Sequence, residues 1–372
     1  MRHGLRTALT VTGLAVAVLA FGLLQTVVDA WYAGAAAASG TRLVTRSAIS
    51  LTIFLPVSYE NRVRAVEGVT KVARSNWFGG IYQEPKNFFP QFAVSDNYLD
   101  LYPDFVLAEA ERASWRRDRK GALVGRQLAD QFGFKVGDVL PIRGTIYPGA
   151  WEFVVRGIFD GSDASKVTRL MLFHWDYLNE TLRRTVPRRA NYVGIYVVGT
   201  DNVDGVAATA ARIDDTFRNS LAETLTESEQ AFQLGFVAMS DQIIAAIRIV
   251  SYVVILIIMA VMANTMAMSA RERTSEYATL KVLGFGPGFL AVLIVGESLL
   301  ICILGGGIGI LLTAPAAASF KQVVGLFPIF AVSADTVTMQ GACALVVALA
   351  AAVVPAVRVA RVRIVEGLRS IA

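Results

Sequence analysis

Apolar residues gather into four runs along this chain. "TALTVTGLAVAVLAFGLLQTVV", residues 7–28, is the first, the second covers roughly 243–268 and the third roughly 288–313. The fourth is "VTMQGACALVVALAAAVVPAV", residues 337–357. As a helix the first run reaches about 33 Å, enough for a hydrocarbon core of about 30 Å. Each run predicts a membrane-spanning helix. Between the first and second, about two hundred residues return to a mixed pattern, long enough to bury a core of their own.

Within that segment the period changes repeatedly. "WYAGAAAASG" reads as a flexible exit from the membrane, and "RLVTRSAISLTIFLP" as a strand rich in β-branched residues. "YENRVRAVEGV" has helical spacing and "TKVARSNWFGG" returns to strand, a β-α-β opening. "YVGIYVV" (192–198) predicts a strand and "VDGVAATAARIDDTFRNSL" an amphipathic helix. Between them "GALVGRQLADQFGF" reads as a helix closed by Gly133, while "KVGDVLPIRG" and "AWEFVVRGIFDG" read as short strands with Gly-Asp and Asp-Gly turns. The expectation is an α/β layer split by an inserted β-rich lobe at about 96–185.

Composition supports the membrane reading. Hydrophobic residues make up 54% and charged residues 17%, against about a quarter charged in soluble domains. "MRHGLR", an apolar stretch and "AGAAAASG" also have the layout of a secretory signal, but signal cores run to only about 7–15 apolar residues, so the first run is read as an uncleaved span. Short-loop bases set the orientation. Arg2 and Arg6 precede the first span, Arg271, Arg273 and Lys281 lie between the second and third, and Arg358, Arg361, Arg363 and Arg369 follow the fourth. Lys321 is the one base between spans three and four. The positive-inside rule then places both termini and the 268–286 loop in the cytoplasm. The expected fold is an α-helical membrane protein with four transmembrane helices plus a large α+β extracytoplasmic domain between the first two. Its parts are a tail and span over 1–30, an exported domain over 31–240 and a membrane domain over 241–372. The net charge of +5 is mostly topological, and nothing calls for nucleic acid.

Catalytic chemistry is sparse. Both cysteines, Cys302 and Cys343, fall in apolar runs, so the exported domain has no disulfide. The two histidines are His3 and His174, the latter beside Trp175 at a predicted helix start. No set of His, Cys and Asp has metal-ligand spacing, and no G-x-S-x-G elbow occurs. "GALVG" and "GFGPG" lack the Lys-Ser/Thr of a phosphate loop, so the chain is not expected to hydrolyse nucleotide, and no catalytic, cofactor or metal residue is assigned. The exported domain reads as a binding or docking module. In the membrane, Glu297 is an acid within span three that needs protein or water beside it, which points to helix pairing or a dimer seam. Gly305 and Gly309 form a small-xxx-small pair for close packing, and Asn264 sits near the inner end of span two.

"MSARERTSEYATLKVLGFG", residues 268–286, joins spans two and three and is longer than a turn requires. Ser269 to Glu272 fits an S-x-x-E capping box and Gly284 suits a left-handed helix end, predicting a helix over 269–284. Tyr277, Leu280 and Leu283–Gly284 fall near one side, with Arg273, Glu276 and Lys281 around the flank. Such a helix lies in the lipid headgroups, extends the second span or docks in a groove of another protein.

The string "ARERTSEYATLKVLGFGPGFL" resembles the signature of the FtsX/MacB-type permeases of ABC transporters, with Arg271, Glu272, Arg273, Glu276, Leu280, Lys281 and Gly284 matching residue by residue. "GESLLICILGGGIGILL" and the basic tail "PAVRVARVRIVEGLRSIA" are similar to the family's third span and C-terminus. "LVGRQLADQFGFKVGDVLPI" with "FVVRGIFD" is similar to the MacB-type periplasmic core. The resemblance implies that 269–284 is a coupling helix gripped by an ATPase through Arg271, Glu272, Arg273, Glu276 and Lys281, with Tyr277 and Leu280 as apolar knobs. It implies a dimer of ATPase subunits that binds the ATP, a second permease copy, and residence in an inner membrane with the large domain periplasmic. A periplasmic adaptor and an outer-membrane channel are further partners of such machines, as is membrane lipid. MacB itself has an ATPase fused at its N-terminus, whereas this chain starts directly with a span, which implies a separate subunit. The implied activity is mechanotransmission, ATP-driven motion conveyed to the exported domain to export or extract a substrate. Activation of a cell-wall hydrolase, as in FtsX, and lipoprotein release, as in LolC/LolE, are the alternatives.

Overall fold

Gly121–Gly125 is buried at all five positions, the pattern of a strand covered on both faces. That burial organises the exported domain. The computed structural model describes residues 2–162, 166, 168–201, 205–320 and 330–360. Lys321 and the tail bases Arg361, Arg363 and Arg369 lie outside the described residues. The chain divides into two compact units, Met1–Trp31 with Met239–Ala372, and Tyr32–Ala238.

The strands of the second unit are β1 (Arg42–Ser47), β2 (Leu55–Pro56), β3 (Val69–Trp77), β4 (Ile81–Tyr82), β5 (Gln91–Val94), β6 (Phe105–Val106) and β7 (Gly121–Gly125). They continue as β8 (Val139–Gly144), β9 (Gly149–Gly161), β10 (Met171–His174), β11 (Tyr192–Val193), β12 (Ile195–Thr200) and β13 (Thr224–Ser228). Its helices are the end of α1 (Arg2–Ala37), then α2 (Tyr59–Arg64), α3 (Glu109–Arg117), α4 (Arg126–Phe132), α5 (Trp175–Thr185), α6 (Val206–Phe217) and α7 (Glu229–Ala238). Eleven strands form one sheet in the order β13-β1-β12-β3-β5-β10-β7-β9-β8-β4, with β6 on β9, while β2 and β11 pair separately.

Two cores lie on the two faces of this sheet, and neighbouring residues divide between them as the pleat requires. Val72, Val124, Phe173 and Val198 join Leu128, Leu178, Ile213 and Phe217 of the helices in one core. Ala73, Leu123, Leu172 and Val197 join Tyr98, Tyr102 and Trp115 in the other. The lobe expected at 96–185 has no separate core. Its strands β7 to β10 continue the sheet begun by β1, β3 and β12, and the far edge β4 comes from outside the segment.

Two local expectations change. "GALVG" is strand, and the helix begins only at Arg126. Gly125 lies so close to the Thr168 carbonyl that a Cβ would stand 1.8 Å from its oxygen, a backbone approach only glycine permits. Gly133 closes the helix at φ +72°, as the sequence predicts. "WYAGAAA" is helical, the alanines extending α1 to Ala37.

In the other unit, α8 (Asp241–Glu272), α9 (Thr274–Val282), α10 (Pro287–Phe320) and α11 (Ala334–Ala360) follow the beginning of α1. Among the described residues four helices are long and apolar enough to cross a membrane: Thr7–Ala35, Asp241–Glu272, Pro287–Ser319 and Ala334–Val359. Their shared core includes Leu14, Val18, Met262, Ile294, Val347 and Ala351. Polar residues tie them as well. Gln340, wholly buried, donates through Nε2 to the Val18 carbonyl and to Thr313 Oγ1, both at 2.8 Å. Asp29 accepts the hydroxyls of Ser333 and Thr336 at 2.6 Å each. Ser298 donates to the Ala348 carbonyl at 2.6 Å. Away from water each of these bonds stands in for a partner that hydrocarbon lacks.

Candidate functional site

The second span does not end where the loop sequence begins. α8 continues as helix through Ser269 and Arg271 to Glu272, so the S-x-x-E string lies inside a helix and Ser269 caps nothing. The break is at Arg273, with φ −97° and ψ 18°, whose amide donates to the Ser269 carbonyl at 3.2 Å. Nine residues, Thr274–Val282, then form α9, shorter than the expected 269–284. Its end is built from two backbone bonds: Phe285 N–H to Leu280 O and Gly284 N–H to Lys281 O, each 3.1 Å. This is the Schellman pattern, and it requires the left-handed Gly284 at φ +94°.

Burial sorts the loop residues into two groups. Tyr277 is 3% exposed and Ala278 is buried, both on the face packed toward the helices of the membrane unit. Tyr277 belongs to the same core as Met262, Met266, Leu290 and Ile294, and Leu280 packs partly against it. The expected role of Tyr277 as an apolar knob for a partner therefore fails, because its own chain already covers it. Exposed instead are Arg271, Glu272, Glu276, Val282 and Leu283, with Leu283 at 69% and Val282 at 57%. Lys281 is half-buried.

Arg273 faces inward too. Its Nη1 lies 3.4 Å from Glu297 Oε2 of α10, and its guanidinium donates to the Tyr277 hydroxyl. Burial, with Glu297 adding to it, raises the Tyr277 pKa, so the phenol stays protonated and neutral. Three residues from α8's end, α9 and α10 thus meet at one polar joint, fixing the direction in which α9 leaves the span. For Glu297 the partner is Arg273 of the same chain.

The other membrane positions separate. Gly305 and Gly309 of α10 pack against the first helix: a Cβ would come 2.8 Å from Val11 O at the former and 2.7 Å from Ala15 O at the latter. They serve contact within one copy. Asn264 is exposed on α8 beside Val261 and Met268. Asp29, Gln340 and Ser298 went unnoticed in the sequence, where each is one polar residue in or beside an apolar run. Gly22 is the available signal, since its lack of a Cβ makes the room that the Gln340 amide occupies.

In the exported domain the His174 ring is a structural pin. His174 is buried at the start of α5, with Nε2 2.8 Å from the Trp115 carbonyl, Nδ1 2.8 Å from Asp96 Oδ1 and its ring stacked on Trp115. The hydrogen bond from His174 holds the Asp96 carboxyl below its ordinary value. A carboxyl lowered in the folded state adds stability above its unfolded value, near pH 4, and that contribution disappears as pH falls through the folded value. Melting temperature measured from pH 6 to 3 should therefore fall less steeply below about pH 4 in Asp96→Asn than in the parent. Parallel curves would show that Asp96 is not coupled to folding. Among the described residues no group of three or more His, Cys, Asp and Glu is placed to hold a metal ion.

Comparison with known proteins bears on both units. The family model MacB-like periplasmic core domain matches residues 7–216, and the model FtsX-like permease C-terminal matches residues 248–364. The extracellular domain of the noncanonic ABC-type transporter YknZ from Gram-positive bacteria is similar at 13% identity and TM-score 0.36, over 50% of this chain and 100% of that one. The periplasmic region of MacB from Actinobacillus actinomycetemcomitans is similar at 9% identity and TM-score 0.37, over 53% and 92%. A domain of a putative permease protein from Porphyromonas gingivalis is similar at 14% identity and TM-score 0.34, over 50% and 88%. No curated protein matches the chain. With one of the two family models spanning more than half of its length and the other covering residues 248–364, which include α9, the chain belongs to the FtsX/MacB-type ABC-transporter permeases.

Proposed function

We propose that this chain is the membrane subunit that converts the motion of a separate ATPase into motion of its exported domain. The observation that carries the reading is α9, a nine-residue helix between two spans whose outer side exposes Glu276 and Val282, with Leu283 at its C-terminal cap, beside Arg271 and Glu272 of α8. Opposite charges flanking apolar side chains suit a protein groove, where charge-assisted bonds set register and the apolar residues supply contact area. A helix resting on anionic headgroups is typically rich in lysine and arginine on its polar side, unlike this mixed-charge one. The basic residues of the short loops support the reading that α9 and both termini are cytoplasmic and the exported domain is periplasmic, across an inner membrane. Two copies of the chain stand over two ATPase subunits, which hold the ATP. Substrate is handled by the exported domain, while the spans convey force.

The test co-expresses the chain with the ABC ATPase subunits of its own genome, one at a time, and captures each through a tag on the permease. Glu276→Arg and Leu283→Asp change exposed residues and should leave insertion and yield unaltered. Captured ATPase should fall by about tenfold, equal to about 1.4 kcal/mol of binding. Undiminished capture by both variants would remove the reading.

A further inference from the structure

At the end of the exported domain where both connectors to the spans attach, a buried polar cluster holds them together. The connectors run into adjacent strands: β1 follows the end of α1, and β13 leads into α7. These strands are antiparallel partners with Leu43 opposite Ser228, so both connectors leave from the same end of one strand pair, at the sheet edge formed by β13. At that fork Arg42 and Glu229 are each 7% exposed and joined at 2.8 Å from Nε to Oε2. The Glu229 carboxylate also accepts the Ser39 amide at 3.0 Å and the Tyr102 hydroxyl at 2.8 Å. Arg42 donates to the Leu101 carbonyl at 3.0 Å, reaches Asp104 at 3.4 Å and lies 4.2 Å from the centre of the Tyr102 ring. One carboxylate thus binds the end of the first connector, the root of the second and the core between them.

Loading geometry gives this cluster its role. Hydrogen bonds in an antiparallel pair stand perpendicular to the strands. Two strands pulled apart from the same end therefore open one bond at a time, as a zipper does, and the resistance is that of the first bond. An open fork would let moving connectors peel β13 from β1 while the rest of the sheet stayed still. We infer that the Arg42–Glu229 cluster is the fork lock through which motion of the two connectors reaches the exported domain as a whole. The pair positions the connectors and touches no substrate. The inference rests on the reading that the spans convey force.

The experiment uses the full chain with its ATPase in lipid nanodiscs, in a Cys302→Ala/Cys343→Ala background. One set of samples is spin-labelled at Met239→Cys, next to the second connector, and another at Leu221→Cys on the domain surface, both positions being exposed. Pulsed electron resonance reads the distance between the two copies with and without ATP and vanadate. In the parent both distances should change. In Glu229→Gln, which keeps the shape and removes the charge, the change at 239 should persist and that at 221 should fall at least twofold. Equal changes at both positions in the variant would overturn the fork lock. No change at either position in the parent would instead overturn the force-conveying reading. Amide exchange at Gly121–Gly125 monitors folding; if Glu229→Gln loses that protection, Tyr102→Phe, which removes one hydrogen bond, must give the same split in smaller measure. Unsplit changes in a folded Tyr102→Phe would then refute the inference.

Discussion

Arg273→Glu is expected to cut ATP-driven activity by about tenfold or more, equivalent to at least about 1.4 kcal/mol, and adding Glu297→Arg should restore most of it. The two side chains stand 3.4 Å apart and are 37% and 32% exposed, so solvent screens the pair and its contribution to folding is small, about 0.2–1 kcal/mol. Under the proposed coupling its mechanical effect is larger. Arg273 sits where helical geometry breaks between α8 and α9, and its side chain reaches both Glu297 of α10 and Tyr277 of α9. Two carboxylates facing each other at that break would turn α9 away from its present direction, and with it the surface proposed to meet the ATPase. Reversing both charges rebuilds the attraction with its sign exchanged. Melting temperature should be nearly constant across the series while activity falls and recovers. A double variant as inactive as the single one, with unchanged melting, would show that Arg273 acts through an outside partner and not through Glu297.

The difference between these two roles marks what the loop sequence made legible. The string from Arg271 to Gly284 revealed that a helix joins the spans, and Gly284 revealed where it stops. It misplaced the start, since S-x-x-E reads the same inside a continuing helix as at a new one. An amphipathic pattern tells which residues avoid water but not whose surface covers them, and Tyr277 is covered by the chain's own spans. In the sequence Arg273 and Glu276 look alike because both are charged, although only Glu276 points outward; the acid that claims Arg273 lies 24 residues away. The exported domain shows the same boundary. Local periods identified β3, β9, β12, α2 and α6, because each has a strand or helix repeat of its own. "GALVG" reads as helix in the sequence because a strand buried on both faces loses the alternation that would reveal it. β13 has no period of its own to announce it, and only its pairing with β1 makes it a strand. Long-range pairing also joins the segment at 96–185 to the sheet on either side of it.

Alanine at Gly309 and at Gly307 should change the stability of the membrane unit in opposite directions, although the two positions are two residues apart on one helix. At Gly309 a Cβ would lie 2.7 Å from Ala15 O and 2.8 Å from Val18 Cβ, so α10 and the first helix must separate along that contact. Overpacking of this kind costs about 1–3 kcal/mol. The loss is compounded by the neighbouring Gln340, whose amide bond to Val18 O depends on the same separation of helices. At Gly307 nothing lies within 4 Å of the added atom, and alanine there gains the helix preference over glycine of about 0.5–1 kcal/mol. Thermal unfolding of the two variants in one detergent, followed by aggregation-sensitive chromatography, reads the sign directly. Gly309→Ala should lower the midpoint and reduce the yield of monodisperse protein, and Gly307→Ala should match or exceed the parent. If Gly309→Ala were as stable as Gly307→Ala, the tight seat of span three on span one would not exist, and the glycine pair would be free to serve a contact between copies. With the seat intact, spans one and three share one packed core with Tyr277 of α9, and the joint at Arg273 is built on that core.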